Sequence, residues 1–149
     1  MLVRRLTFAS IFFVALSLVP AGAHLMSLPN KIHMSAADYL VAQQAYRGWA
    51  FAGILIFSAL IATGWLGLAL RRERRAIGVF VAFACLVLAQ VSFWMLTFPG
   101  NAATMNWTTL PANWEELRFH WELGHAIGAL LTLAALTLLL TEMGTFSDS

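Results

Sequence analysis

Glu122 and His125 stand one helical turn apart at the start of an apolar run, within the stretch NWEELRFHWELGH that covers residues 113–125. A carboxylate three residues before an imidazole is half of the ligand signature of a di-iron helix bundle, which needs a second copy and two more carboxylates from other helices. The other three apolar stretches of the chain contain no Asp or Glu, which removes that reading. His24 and His125 are of the donor type that forms paired axial haem ligands. His24, Met26, His33 and Met34 offer imidazoles and thioethers that suit copper. Neither set has a diagnostic spacing, so no metal ligand and no cofactor is assigned. Cys85 is the one cysteine and lies in an apolar run, which leaves no disulfide or cysteine-based metal site within this chain.

The elements that must position these groups follow from composition. With 60% hydrophobic and 11% charged residues, the chain lies outside the range of soluble domains. A bilayer core about 30 Å thick needs roughly 20 apolar residues of helix. Four stretches meet that length, at about residues 6–26, 49–70, 76–98 and 123–143. The expected fold is all-α: a single four-helix transmembrane bundle of up-down topology that occupies residues 1–149. Only the C-terminal TFSDS is expected to be disordered.

Arg71, Arg72, Arg74 and Arg75 lie between the second and third stretches, and Arg4 and Arg5 precede the first. Basic residues in short loops mark the cytoplasmic side, which predicts both termini inside and an integral, multi-pass protein of the bacterial inner membrane. The net charge of +2 then reports orientation. Without a separate basic face there is no nucleic-acid partner to infer, and the expected partners are membrane lipid and a small apolar or aromatic ligand. The first stretch has a rival reading. Arg4, Arg5, the run Leu6 to Val19 and PAGA ending at Ala23 resemble a cleavable secretory signal, whereas the apolar character that continues through Leu25 and Met26 favours a span.

Helical extensions are expected on the outer side. Ser35-x-x-Asp38 can cap a helix starting near residue 36 and running into the second span, and Asn113-x-x-Glu116 can cap one starting near 113 and running into the fourth. Pro29 and Asn30 are expected to break the chain after the first span, and Pro99, Gly100 and Pro111 to bracket the loop between the third and fourth.

At 100° per residue, Trp114, Arg118, Trp121, His125 and Thr132 form one stripe of the fourth helix, with Glu122 beside it and His120 nearly opposite. Gly124 and Gly128 make a small-xxx-small pair that allows close helix approach. Ser10, Ser17 and His24 repeat every seven residues, Gln43 and Arg47 are a turn apart, and Gln90, Trp94 and Thr97 share a face. Polar side chains within spans turn inward, so the inferred object is a polar and aromatic pocket opening to the non-cytoplasmic side. Plainer roles stand beside this one: Trp49, Trp107 and Trp114 as interfacial anchors, Arg118 and Glu122 as a local ion pair, and His33 as a loop residue.

FPGNAATMN followed by NWEELRFHWELGHAIGALLTLAALTLLL, with LPNKIH and QQAYRGW upstream, resembles the anthrone oxygenase-like family of small four-helix membrane proteins. The matching motifs are Pro99-x-Asn101 and Trp121-x-x-x-His125, and the resemblance covers about residues 21–140. Members often carry an arginine three positions after that histidine, where this chain has Gly128. The resemblance implies cofactor-free oxidation of a flat, apolar phenolic compound by molecular oxygen. In that chemistry His125 is the base, Glu122 orients it, Arg118 and Asn101 hold the developing enolate oxygen, and Trp121 and Trp94 stack on the substrate, with His24, Gln90 and Arg47 as further binding residues. The alternative is a non-catalytic membrane module that binds a lipid, quinone or haem or supports a partner protein.

Overall fold

The structure is a computed structural model that describes residues 1–144. The expected disordered tail, 145–149, lies outside the described residues. Among these, every regular element is helical: Leu2–Lys31 (α1), Ala36–Gln43 (α2), Gly53–Ala69 (α3), Ala76–Ser92 (α4), Phe98–Ala103 (α5) and Trp114–Gly144 (α6). Four continuous helical stretches, 2–31, 49–69, 76–103 and 114–142, are long and apolar enough to cross a membrane.

Helix α1 packs against α3 and α6, and α4 closes the ring by packing against the same two. The arrangement is up-down. Thr7, Arg75 and Glu142 meet at one end together with Leu70, so the start of the chain, the arginine loop and the end of α6 share that end. Ile54, Ile61, Trp65, Ile77 and Met95 are exposed on the outside, and an exterior this apolar suits lipid rather than water.

The interior has two packed regions. At the arginine end, Val14, Ala59, Leu66, Val79, Leu86, Ala135 and Leu139 form an aliphatic core. At the other end, Tyr39, Trp107 and Trp121 form an aromatic one, flanked by Tyr46, Trp114 and Leu117.

Several boundaries differ from those read in the sequence. Pro29 does not end the first span: α1 continues through Pro20 and Pro29 to Lys31. Proline so near a helix C-terminus removes one backbone bond of the last turns, and Ile32 still donates to the Leu28 carbonyl at 3.0 Å. Nor does Pro99 end the third span. It sits in the first turn of α5, where a missing N–H is tolerated, and the helix reaches it through the π-helical turn Phe93–Thr97.

Ser35 caps α2 as expected, accepting from the Asp38 N–H at 3.3 Å while its hydroxyl donates to the Asp38 carboxylate at 2.6 Å. The run into the second span is nonetheless interrupted. Arg47 is extended (ψ 126°) and Gly48 is left-handed (φ 86°), so the chain turns between two short 3₁₀ segments before α3 begins. The extension ahead of the fourth span is present and starts at Trp114.

Candidate functional site

Between the two packed regions lies a cavity of about 570 Å³, within the size range of small-molecule sites. Its exposed lining residues, Gln44, Arg47, Gly48, Trp49, Ala50, Met105, Asn106 and Thr108, all belong to the α2–α3 and α5–α6 connections. The mouth is therefore at the end opposite the arginine loop. The blind end is marked by the buried residues Ser17, Ala89, Ala129 and Thr132.

His24 of α1 and His125 of α6 form the wall. Their rings are stacked, with centroids 4.0 Å apart and planes 20° from parallel. Trp121, one turn before His125, sets its edge against both, at 4.2 Å from His125 and 5.0 Å from His24. Tyr46 and Trp49 cover the other side of His24, at 4.2 and 5.6 Å. The ring of Trp121 is fixed by its indole N–H, which donates to Asn101 Oδ1 at 2.7 Å. Ser27 and Tyr46 are joined through their hydroxyls at 3.1 Å. His24 Nδ1 is buried without a hydrogen-bond partner among the described residues. An unpaired buried acceptor or donor carries a desolvation cost of about 1–3 kcal/mol, which a ligand's hydroxyl or carbonyl would relieve.

Behind the aromatic wall is a buried charged group. Lys31 Nζ lies 2.9 Å from Glu122 Oε1, both side chains almost fully buried. The Tyr39 hydroxyl donates to the same oxygen at 3.0 Å. Lys31 also lies 4.7 Å over the Tyr46 ring and 4.9 Å over Trp121, so the cation backs two of the rings that face the histidines. Its position in the last turn of α1 suits the negative end of the helix dipole. Burial, and then the charge of Glu122, push the Tyr39 phenol above its ordinary range, which keeps it a neutral donor.

The close approach of α6 to the π-helical turn that follows α4 depends on Gly124. A Cβ there would run into Thr97 Oγ1 and come within 2.9 Å of Leu96 Cβ, and Ser92 donates across the contact to the Gly124 carbonyl at 3.2 Å. Gly128, the other half of the expected small-residue pair, behaves differently. Nothing lies within 4 Å of its Cβ position, because it faces the cavity rather than a helix.

The mouth is held by unusual backbone. Met105, Asn106 and Trp107 are consecutive left-handed residues, φ 49°, 55° and 60°, a conformation that costs about 1–2 kcal/mol per non-glycine residue. Three groups hold it. Asn106 N–H donates to the Asn101 carbonyl at 2.7 Å, Trp107 N–H donates to Thr104 Oγ1 at 2.9 Å, and the buried Trp107 ring packs on Tyr39 and Trp121. Gln44 Nε2 ties the other connection to this one by donating to the Trp107 carbonyl at 3.3 Å.

Of the residues read from the sequence, His24, His125, Trp121, Asn101, Gln90 and Arg47 border the cavity. Three do not. Trp94 is exposed and packs on Phe93 and Phe98. The π-helical turn shifts the register, so Phe93 and Thr97 face inward where straight α-helix would have kept Trp94 in line with Gln90. Glu122 is committed to Lys31 and Tyr39 and makes no hydrogen bond to His125. Arg118 donates to the Met34 carbonyl at 2.7 Å and stacks over Trp114 at 4.5 Å, which ties α6 to the segment ahead of α2. Arg118 and Glu122 are therefore not a local ion pair.

The stacked histidines do not straddle an iron. Axial rings on one metal, with metal–nitrogen bonds of about 2 Å, stand farther apart than 4.0 Å. In the copper reading, Met26 and His33 are exposed while His24 is buried, so those donors do not converge. Among the described residues no three His, Cys, Asp or Glu side chains gather as a metal site. Trp107, far from an interfacial anchor, is one of the most buried rings.

Sequence reasoning missed Lys31, Tyr39 and Tyr46. The first had a signal: Ser10, Ser17, His24 and Lys31 continue one seven-residue series, and all four are buried. No protein-family model, curated protein or solved structure matches the chain.

Proposed function

We propose that this protein is a cofactor-independent oxygenase of the membrane interface, acting on a flat, apolar phenolic compound such as an anthrone. The observation that carries the reading is the stacked His24–His125 pair on the wall of a cavity of about 570 Å³. An anthrone has an acidic CH₂ conjugated to its carbonyl. A neutral imidazole can remove one of those protons, and the carbanion adds to molecular oxygen to give a peroxide anion. Return of the proton makes the hydroperoxide, and removal of the second CH proton expels hydroxide to leave the ketone and water. One oxygen atom enters the product and the other leaves as water.

In this proposal His125 is the base and His24, stacked beside it, supports it. Asn101 and Arg47 supply donors for the enolate oxygen, and Trp121 with Tyr46 provides the flat apolar surface. Glu122 and Lys31 position Trp121 rather than orient a histidine. We place the arginine end in the cytoplasm of a bacterial inner membrane by the distribution of basic residues, which opens the mouth to the outer face. Oxygen uptake by the purified protein with anthrone tests the activity. Uptake that is lost in His125→Gln is expected, and uptake equal to that of protein-free micelles in the wild type would refute it.

A second reading is a non-catalytic module that holds such a compound, or a quinone. It is favoured by the engagement of Glu122 with Lys31 and Tyr39, which leaves neither histidine with an acidic partner.

A further inference from the structure

We propose that the cavity selects a ligand with two parts, a phenolic head at the histidine pair and an apolar substituent lodged in the blind end, and that Gly128 sets the permitted length. The inference rests on the phenol-binding reading of the cavity and adds the shape of the molecule.

Two helices measure the depth independently. On α1 the floor residue Ser17 is seven residues below His24, and on α6 the floor residue Thr132 is seven residues beyond His125. At a rise of about 1.5 Å per residue each gives roughly 10 Å. Both histidines therefore stand about that far above the floor, which leaves room for more than a head bound at their level.

The walls of this lower part are mostly small or apolar, with Pro20, Ala21, Ile56 and Ala129 among them, and Gln90, next to the floor residue Ala89, adds an amide on the α4 side. Its two hydroxyls are turned to their own helices: Ser17 donates to the Phe13 carbonyl at 2.7 Å and Thr132 to the Gly128 carbonyl at 2.8 Å. Neither offers a hydrogen to a ligand. Apart from Gln90, the polar donors and acceptors gather at and above the histidines, where His24 Nδ1 is buried without a partner and Asn101, Gln43 and Arg47 line the wall. Polarity thus falls from mouth to floor, and the complementary molecule has the same gradient.

Gly128 lies one turn beyond His125 on the wall, where the head region passes into the lower part. Its missing side chain leaves open space, and any larger residue would project into the passage. Gly124 serves helix packing, so the two glycines separate in function although they are one turn apart.

The test uses full-length protein in detergent micelles, with 4-ethylphenol and 4-n-octylphenol as probes. Binding is read by quenching of tryptophan emission, excited where phenols do not absorb. Because both variants are compared in the same micelles, partitioning of the probes cancels. Gly128→Phe is expected to weaken octylphenol by roughly tenfold to a hundredfold, the equilibrium equivalent of an overpacking clash, with ethylphenol changed less than about twofold. Gly128→Val is expected to fall between, and serves if the larger substitution does not fold.

Equal loss of both probes, or no loss of octylphenol, overturns the inference while leaving phenol binding in place. If wild type binds neither probe, the phenol-binding reading falls and takes the inference with it. A length effect that persists unchanged in His125→Gln shows that the lower part accepts any alkyl chain, lipid included, and overturns the coupling of head to tail.

Discussion

Replacing Lys31 by methionine keeps the length of the side chain and removes the charge opposite Glu122. At 2.9 Å the gross attraction at an effective dielectric of about 20 is roughly 6 kcal/mol, offset by the desolvation of two ions. Breaking one side of a buried pair typically costs about 3–5 kcal/mol, because the remaining charge stays buried alone. Both side chains are almost wholly buried, so solvent screening gives little relief. Lys31→Met is therefore expected to destabilise the protein by about 3–5 kcal/mol, as is Glu122→Gln to a smaller extent, since Lys31 keeps its place over the Tyr46 and Trp121 rings. The double variant leaves no unpaired charge and is expected to be milder than the sum of the two by at least about 2 kcal/mol. Unfolding of the four proteins in mixed micelles, followed by helical circular dichroism, gives the coupling. A Lys31→Met cost below about 1 kcal/mol, of the size seen for exposed pairs, or simple additivity, would refute the reasoning.

Other expectations follow from the same geometry. His125→Ala is expected to abolish ligand binding or turnover and His120→Ala to leave it nearly unchanged, as His120 packs on Phe119 outside the cavity; equal effects in a binding assay would sink the assignment. Gly48→Ala is expected to cost about 1–2 kcal/mol in thermal unfolding, because the position is left-handed, and an unchanged midpoint would show that the turn relaxes. A Glu73→Cys label site in a Cys85→Ser background is expected to react with an impermeant maleimide only after permeabilisation, and labelling in intact cells would reverse the proposed orientation.

The four spans were legible because each exceeds the bilayer length and the arginines separate the middle pair. The inward stripe of α6 was legible because 100° spacing holds along an unbroken helix, and Trp121, His125 and Thr132 fall where it puts them. The same rule failed for Trp94, since a π-helical turn inserts part of a residue and no residue type in FWMLT announces one. Prolines misled at 29 and 99 for local reasons: Pro29 removes a single backbone bond two residues before α1 ends, and Pro99 falls in the first turn of α5, where an N–H has no partner within the helix. Glu122 was misassigned because the sequence offers His125 as its neighbour, whereas its stronger partners, Lys31 and Tyr39, come from elements more than 80 residues away. Lys31 was readable in principle, as the next member of the seven-residue series on α1. The difference between Gly124 and Gly128 was not, because it depends on what the fold sets opposite each, the π-helical turn for Gly124 and the cavity for Gly128.

The most direct measurement is nitrogen-15 NMR of protein labelled at its four histidines, titrated with anthraquinone as an unreactive analogue of the expected product. Stacked at 4.0 Å on the cavity wall, the imidazoles of His24 and His125 are expected to shift together and to saturate at one ligand per chain, with His33 and His120 unmoved. Shifts confined to His33 and His120, or none at saturating ligand, would contradict the claim that the histidine pair lines the site.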